Sequence, residues 1–140
     1  MSLPERPAAY VRVVAARNAR DPHVQDQLRA VLAAACQRGW PRPAVYTEIG
    51  LPGWHRPGSV LGRLAGYLAS GRHDAIIVRD LSRISRDPAD VLAFAVHCGR
   101  CKVTLEALEE GRVDEPRIAA IYARCRVTTR SEESRPAAGS

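Results

Sequence analysis

Aromatic side chains are scarce. Tryptophan, tyrosine and phenylalanine make up 5% of the 140 residues, and Phe94 is the only phenylalanine. A core must therefore be built mainly from aliphatic side chains. Lysine is rarer still: Lys102 stands alone against 20 arginines. No apolar run approaches the roughly 20 residues of a membrane-spanning helix, which excludes a helical membrane protein. The opening residues, Met1 to Pro7, carry charges with no apolar stretch behind them, so no secretory signal is expected and a cytoplasmic setting is. Cysteine is limited to Cys36, Cys98, Cys101 and Cys125, expected as reduced thiols in that setting. Cys98 and Cys101 form one Cys-x-x-Cys behind His97. A structural zinc site wants four ligands and a second such pair is missing, so small packing residues near a helix end are expected rather than a metal, and no cofactor.

What is present is ordinary globular composition, 46% hydrophobic and 26% charged, which excludes a collagen-like or wholly disordered chain. The length suits one domain with a tail. The net charge is +6, carried by arginine, whose planar fork grips two phosphate oxygens at once. A polyanionic partner, most simply nucleic acid, accounts for this charge; so does a solvated basic surface.

Along the chain, residues 1–7 read as an N-terminal arm. Ala8 to Val14 reads as a β-branched strand, and His23 to Arg38 as a helix with apolar residues at helical spacing, stopped by Gly39. Ala44 to Glu48 is a second strand, and Ile49 to Pro57 a Gly/Pro loop. Gly58 to Ser70 is a helix and Asp74 to Asp80 a buried strand. Leu81 to Arg86 is a loop or short helix, followed by a helix from Pro88 to about Gly99 and a strand from Lys102 to Glu106. A domain over 8–112 would give way to a short helix at 113–126 and a disordered tail at 127–140. Strands alternating with helices predict an α/β three-layer sandwich whose mainly parallel sheet has about four strands. Its functional crevice is expected beyond the carboxyl ends of the strands.

Four arginines fall near that edge: Arg12 in the first strand, Arg56 in the Gly/Pro loop, and Arg83 and Arg86 after the third strand. Residues at i and i+3 share a helical face, so these guanidinium groups could converge on an anion. By spacing alone, separate surface arginines with solvated heads fit better.

A resemblance bears on the choice. Tyr10-Val11-Arg12-Val13 resembles the opening strand of the serine recombinases, the resolvase/invertase family, which reads Tyr-x-Arg-Val-Ser-Thr. Gln27-Leu28-Arg29-Ala30 and Arg38-Gly39-Trp40 resemble the start and end of that family's first helix. Gly53 with Arg56-Pro57-Gly58 resembles its Gly…Arg-Pro-Gly segment. Leu81-Ser82-Arg83-Ile84-Ser85-Arg86 resembles its Leu-Asp-Arg-Leu-Ser/Gly-Arg signature, and Val103-Thr104-Leu105-Glu106 the strand that follows. The match is collinear from about Ala8 to Glu110. It implies a resolvase-like fold and a phosphodiester chemistry without metal or cofactor, in which a serine attacks phosphorus and arginines stabilise the developing charge. Carried over, the site set is Arg12, Arg56, Arg83 and Arg86, with Gln27 as the matching polar residue.

The sequence departs from that pattern at two chemical groups. Val14 stands at the nucleophile's position with Ala15 after it, and Ser82 stands at the signature aspartate. Neither Val14 nor Ala15 has a heteroatom to attack with. The resemblance then implies a recombinase-like domain that is catalytically inactive and acts by binding DNA phosphates or by pairing, as a homodimer or with an active recombinase. The alternatives are an enzyme with a displaced nucleophile (Ser82, Ser85 or Tyr10), a degenerate mobile-element remnant, and an unrelated α/β domain binding a small phosphate ligand. No Gly-rich phosphate loop follows the first strand to favour the last.

Overall fold

A computed structural model describes residues 2–51, 53–114, 116–117 and 120. The elements run β1 (Pro7–Val13), α1 (Pro22–Gln37), β2 (Ala44–Ile49), α2 (Val60–Ala69), β3 (Ala75–Val78), a 3-10 turn (Leu81–Arg83), α3 (Pro88–Arg100), β4 (Thr104–Ala107) and β5 (Gly111–Val113). They form one sheet in the order β2-β1-β3-β4-β5, parallel except for β5.

Helices cover both faces, as expected for three layers. On one side α2 and α3 bury Leu61, Leu64, Leu68 and Phe94 against Tyr10, Ile76, Val78 and Leu105. On the other, Val24, Val31, Ala34 and Ala35 of α1 pack on Ala9, Val11 and Ile77. Among the described residues the core is aliphatic apart from Tyr10, Phe94 and Cys98. Alternate residues of a strand face opposite layers, so β1 feeds both cores.

Local signals set the helix ends. Asp21 Oδ1 accepts the His23 N–H at 2.9 Å, with Pro22 as the first helical residue. Gly39, at φ 76°, reverses the chain after α1. Trp40 then packs against the α1 core, and Arg38 Nε pairs with Glu106 Oε2 at 2.8 Å, tying α1 to β4. Ser59 Oγ accepts the Gly62 N–H at 3.1 Å to start α2.

The sheet has five strands rather than about four. The added strand, β5, pairs antiparallel to β4 and crosses the domain limit expected at 112. Its 3 residues are too few to show a period of two. Lys102 does not begin the fourth strand. It takes φ 58° just after α3, and β4 starts at Thr104. Of the short helix expected at 113–126, Val113 belongs instead to β5 and Asp114 to no element, while Pro116, Arg117 and Ala120 are helical; the rest of it, and the expected tail at 127–140, lie outside the described residues. Among the described residues, no helix is long and apolar enough to cross a membrane.

Candidate phosphate-binding site

Arg12 is the hub of the sheet's carboxyl edge. It sits near the end of β1 with 2% of its surface exposed. Its Nε donates to Arg83 O at 2.8 Å, one terminal nitrogen to Ser82 O at 2.7 Å, and the other to Gly50 O at 3.1 Å. One buried guanidinium thus fastens the loop after β2 to the loop after β3. Gln27 completes the hub. Its amide oxygen accepts the Arg12 N–H and its amide nitrogen donates to Arg12 O, both at 3.1 Å. Burial lowers the Arg12 pKa, and the charges of Arg83 and Arg86 lower it further while Tyr10 and Glu48 oppose them. Arg12 and Gln27 therefore act here as structural clips, with most of their hydrogen-bonding capacity turned inward.

Arg83 is also tied in. Its Nε lies 3.3 Å from Asp80 Oδ2 and a terminal nitrogen donates to Arg12 O at 3.1 Å. Asp80 caps the 3-10 turn through the Ser82 N–H at 3.0 Å, and it also accepts the Ser82 hydroxyl. Arg86 is exposed, beyond the turn. The groove beside it, about 500 Å³, is lined by Asp80, Ser82, Ser85, Arg86, Glu109 and Glu110. Three carboxyl groups against one guanidinium make that groove unfit for phosphate. Glu110 accepts the Leu81 N–H at 3.2 Å, and burial raises its carboxyl above the usual range, with Asp80 and Glu109 adding to the rise. An anion can be met by Arg86 only from the side away from these acids.

Arg56 occupies the loop between β2 and α2. It is exposed and donates to Leu51 O at 3.2 Å. Gly53, at φ 145°, lets its side chain lie flat on the loop; a Cβ there would come within 2.8 Å of Arg56 Cδ. The adjoining pocket, about 170 Å³, is lined by Glu48, Gly50, Arg56 and Ser59 among others. Gly50 belongs both to this pocket and to the Arg12 clip, so Arg56 shares the sheet edge with Arg83 and Arg86. The structure brings the four arginines to one edge and divides them: Arg12 and Arg83 hold loops, Arg56 and Arg86 face solvent.

Sequence reasoning missed the acids. Glu48 accepts the Val60 N–H at 2.8 Å, the Leu61 N–H at 3.2 Å and the Tyr10 hydroxyl. A carboxylate at a helix N-terminus meets unpaired N–H groups and a favourable dipole. Its register position opposite Arg12 is the signal that could have found it. Tyr10 is 1% exposed, and burial followed by the Glu48 bond drives its hydroxyl well above the usual phenol range. It cannot serve as a nucleophile. Ser85 is also buried, held between Asp90 and the Asp87 N–H. Val14 stands just past β1, 41% exposed. The Cys98 thiol is buried in the core and pushed up to about 12, so it is unreactive packing; Cys101 Sγ lies 3.7 Å from His97 Nε2.

The family model for the N-terminal domain of resolvase matches residues 8–134. The chain belongs to the resolvase family. Solved structures of serine recombinase domains share its fold. The N-terminal catalytic domain of TP901-1 integrase superposes with a TM-score of 0.71 at 22% identity, covering 92% of this chain and 99% of that one. A resolvase family site-specific recombinase from Streptococcus pneumoniae gives 0.70 at 20% identity, covering 96% and 95%. The C-terminal catalytic domain of ISC1926 TnpA, an IS607-like serine recombinase, gives 0.62 at 17%, covering 74% and 67%. At these identities the likeness is one of fold. No curated protein matches the chain. This resolvase domain is thus a serine recombinase-like domain related to site-specific recombination.

Proposed function

We propose that this resolvase domain binds duplex DNA through backbone phosphates without cutting it. It acts in recombination by occupying DNA or by pairing with a recombinase that cuts. The observation that carries the reading is Val14. An exposed aliphatic side chain follows the strand at the position where the family resemblance puts the attacking serine, while the arginines of the motif remain. Attack on phosphorus needs a nucleophilic oxygen in line, and no hydrocarbon side chain supplies one. Arg86 and Arg56 are the phosphate ligands in this reading, on loops that Arg12, Gln27 and Arg83 hold in place. Contact with backbone phosphate makes binding salt-sensitive and largely indifferent to sequence.

The test is fluorescence anisotropy of a short duplex across a salt series. Each phosphate contact contributes about 0.9 to the slope of log K against log salt, so Arg56→Ala with Arg86→Ala lowers the slope by about 1.8. An unchanged slope removes both residues from the interface. A denaturation-resistant protein–DNA adduct would overturn the non-cutting reading.

One observation favours a second reading. The exposed Ser82 hydroxyl donates to the Asp80 carboxylate, an arrangement that can activate an oxygen nucleophile. If Ser82 attacked phosphorus, an adduct would form and Ser82→Ala would abolish it.

A further inference from the structure

We infer that His55 is a stacking platform for an unpaired nucleobase, so that this domain takes single-stranded DNA by base and phosphate together. Resting on the phosphate contact proposed for Arg56, the site adds the base that a phosphate carries.

A tight turn builds the platform. The Arg56 N–H donates to Gly53 O at 3.2 Å, which makes Trp54 and His55 the central residues of the turn. Trp54 turns inward. Its indole packs on the core under α2 and α3, edge-on to Phe94 with centroids 5.5 Å apart, and 5.6 Å from the His97 ring. Its Nε1 is out of contact with solvent. Gly62 of α2 lets the turn come this close: a Cβ there would lie 2.6 Å from Trp54 O. His97 Nε2 in turn donates to Ala65 O at 2.8 Å. The layer beneath His55 is therefore held from both helices.

His55 leans on this indole, with ring centroids 4.0 Å apart. One face of the imidazole is backed, and the side chain is still 64% exposed. Its Nε2 stands 3.9 Å from Asp90 Oδ1, outside hydrogen-bonding reach, and an exposed ion pair at that distance adds little. The ring is thus set in place by stacking, with its outer face open for a second stack.

The neighbouring charges select the ligand. Arg56 follows in the chain and faces solvent. Asp90 accepts the Ser85 hydroxyl at 3.3 Å, one residue from Arg86, so the loops of the two solvent-facing arginines meet at His55. An aromatic face beside such cations matches a nucleotide, which offers a flat base and an anionic phosphate on one backbone. A small anion would leave the ring unused, and a neutral aromatic ligand would leave the arginines unused. Within a duplex both faces of a base are covered by its neighbours, so only an unpaired base can reach His55. Stacking reads no base edge, so the site tolerates any base.

Fluorescence anisotropy of the full chain with a dye-labelled dT strand of about eight nucleotides tests this, against a strand of equal length whose bases are all replaced by abasic sites. The two strands carry the same phosphates. The wild type binds the dT strand about fivefold or more tighter than the abasic strand. His55→Ala narrows that gap to within about twofold, whereas His55→Phe, which keeps a ring and gives up the imidazole, retains it. Equal binding of both strands by the wild type, a gap that survives in His55→Ala, or a gap lost in His55→Phe would each overturn the inference. The phosphate contact would still stand if Arg56→Ala with Arg86→Ala flattened the salt dependence of duplex binding. A wild type that binds neither strand nor duplex overturns both.

Discussion

Arg12→Met separates a structural clip from a phosphate ligand. Methionine keeps most of the aliphatic stem and removes the guanidinium. Three carbonyls then lose a charged donor: Gly50 O, Ser82 O and Arg83 O, now bonded at 3.1, 2.7 and 2.8 Å. Bonds to a charged group are each worth about 1.5–3 kcal/mol, so their loss amounts to roughly 5–9 kcal/mol. Against this, the variant no longer desolvates a buried cation, a relief of several kcal/mol. The net expectation is about 3 kcal/mol of destabilisation. With a urea slope of about 1.5 kcal/mol per M for a domain of this size, the midpoint falls by about 2 M. Urea unfolding followed by circular dichroism and by tryptophan fluorescence measures it, coincident curves establishing two-state behaviour. Arg12→Lys recovers only part of the loss, because one ammonium cannot reach three carbonyls set around a planar fork. A loss below about 1 kcal/mol with normal unfolding slope would refute the clip. It would return Arg12 to the role of ligand that its sequence position suggested.

Two further outcomes follow from the backbone and from the other side of the sheet. His73 is buried, its Nδ1–H donates to Arg6 O at 3.1 Å, and its Nε2 accepts the Tyr46 hydroxyl at 2.6 Å. Burial lowers its pKa, so below about pH 6.5 the unfolded chain takes up a proton that the folded one refuses. Stability therefore declines as pH drops from about 7.5 to about 5.5, and His73→Gln flattens that decline; equal declines in both proteins would refute the assignment. Lys102 holds φ 58° at the end of α3, so Lys102→Gly raises stability by about 0.5–1 kcal/mol, seen as a higher melting temperature, and a fall would show that its side chain is needed there.

Much of the scaffold was legible in the chain. Asp21-Pro22 and Asp87-Pro88 start helices because short polar side chains satisfy N–H groups that the helix cannot. Gly39 ends α1 because glycine enters the left-handed region without strain. Asp74 to Asp80 reads as a buried parallel strand because its centre is apolar on both faces; the strand formed, Ala75–Val78, is shorter and all four of its residues are buried. These signals are local, so a linear reading reaches them. It does not reach β5, whose 3 residues owe their conformation to β4.

The site divides along the same line. The sequence alone determined which groups exist at the carboxyl edge of the sheet. Arginines are there, and an aliphatic Val14 follows β1. That chemistry follows from residue identity and position in the motif. Only the tertiary structure decided what each arginine can do. Arg12 points its donors at carbonyls of the turn after β3 and Arg83 points one at Arg12 O in β1, about 70 residues apart in sequence, while Arg86 and Arg56 stay open to solvent. It also set Asp80, Glu109 and Glu110 around the groove beside Arg86, turning a cluster that looked purely basic into one with an acidic flank. Charge count is a property of composition. The direction of a donor, and the charge it meets, depend on which loops the sheet order brings together.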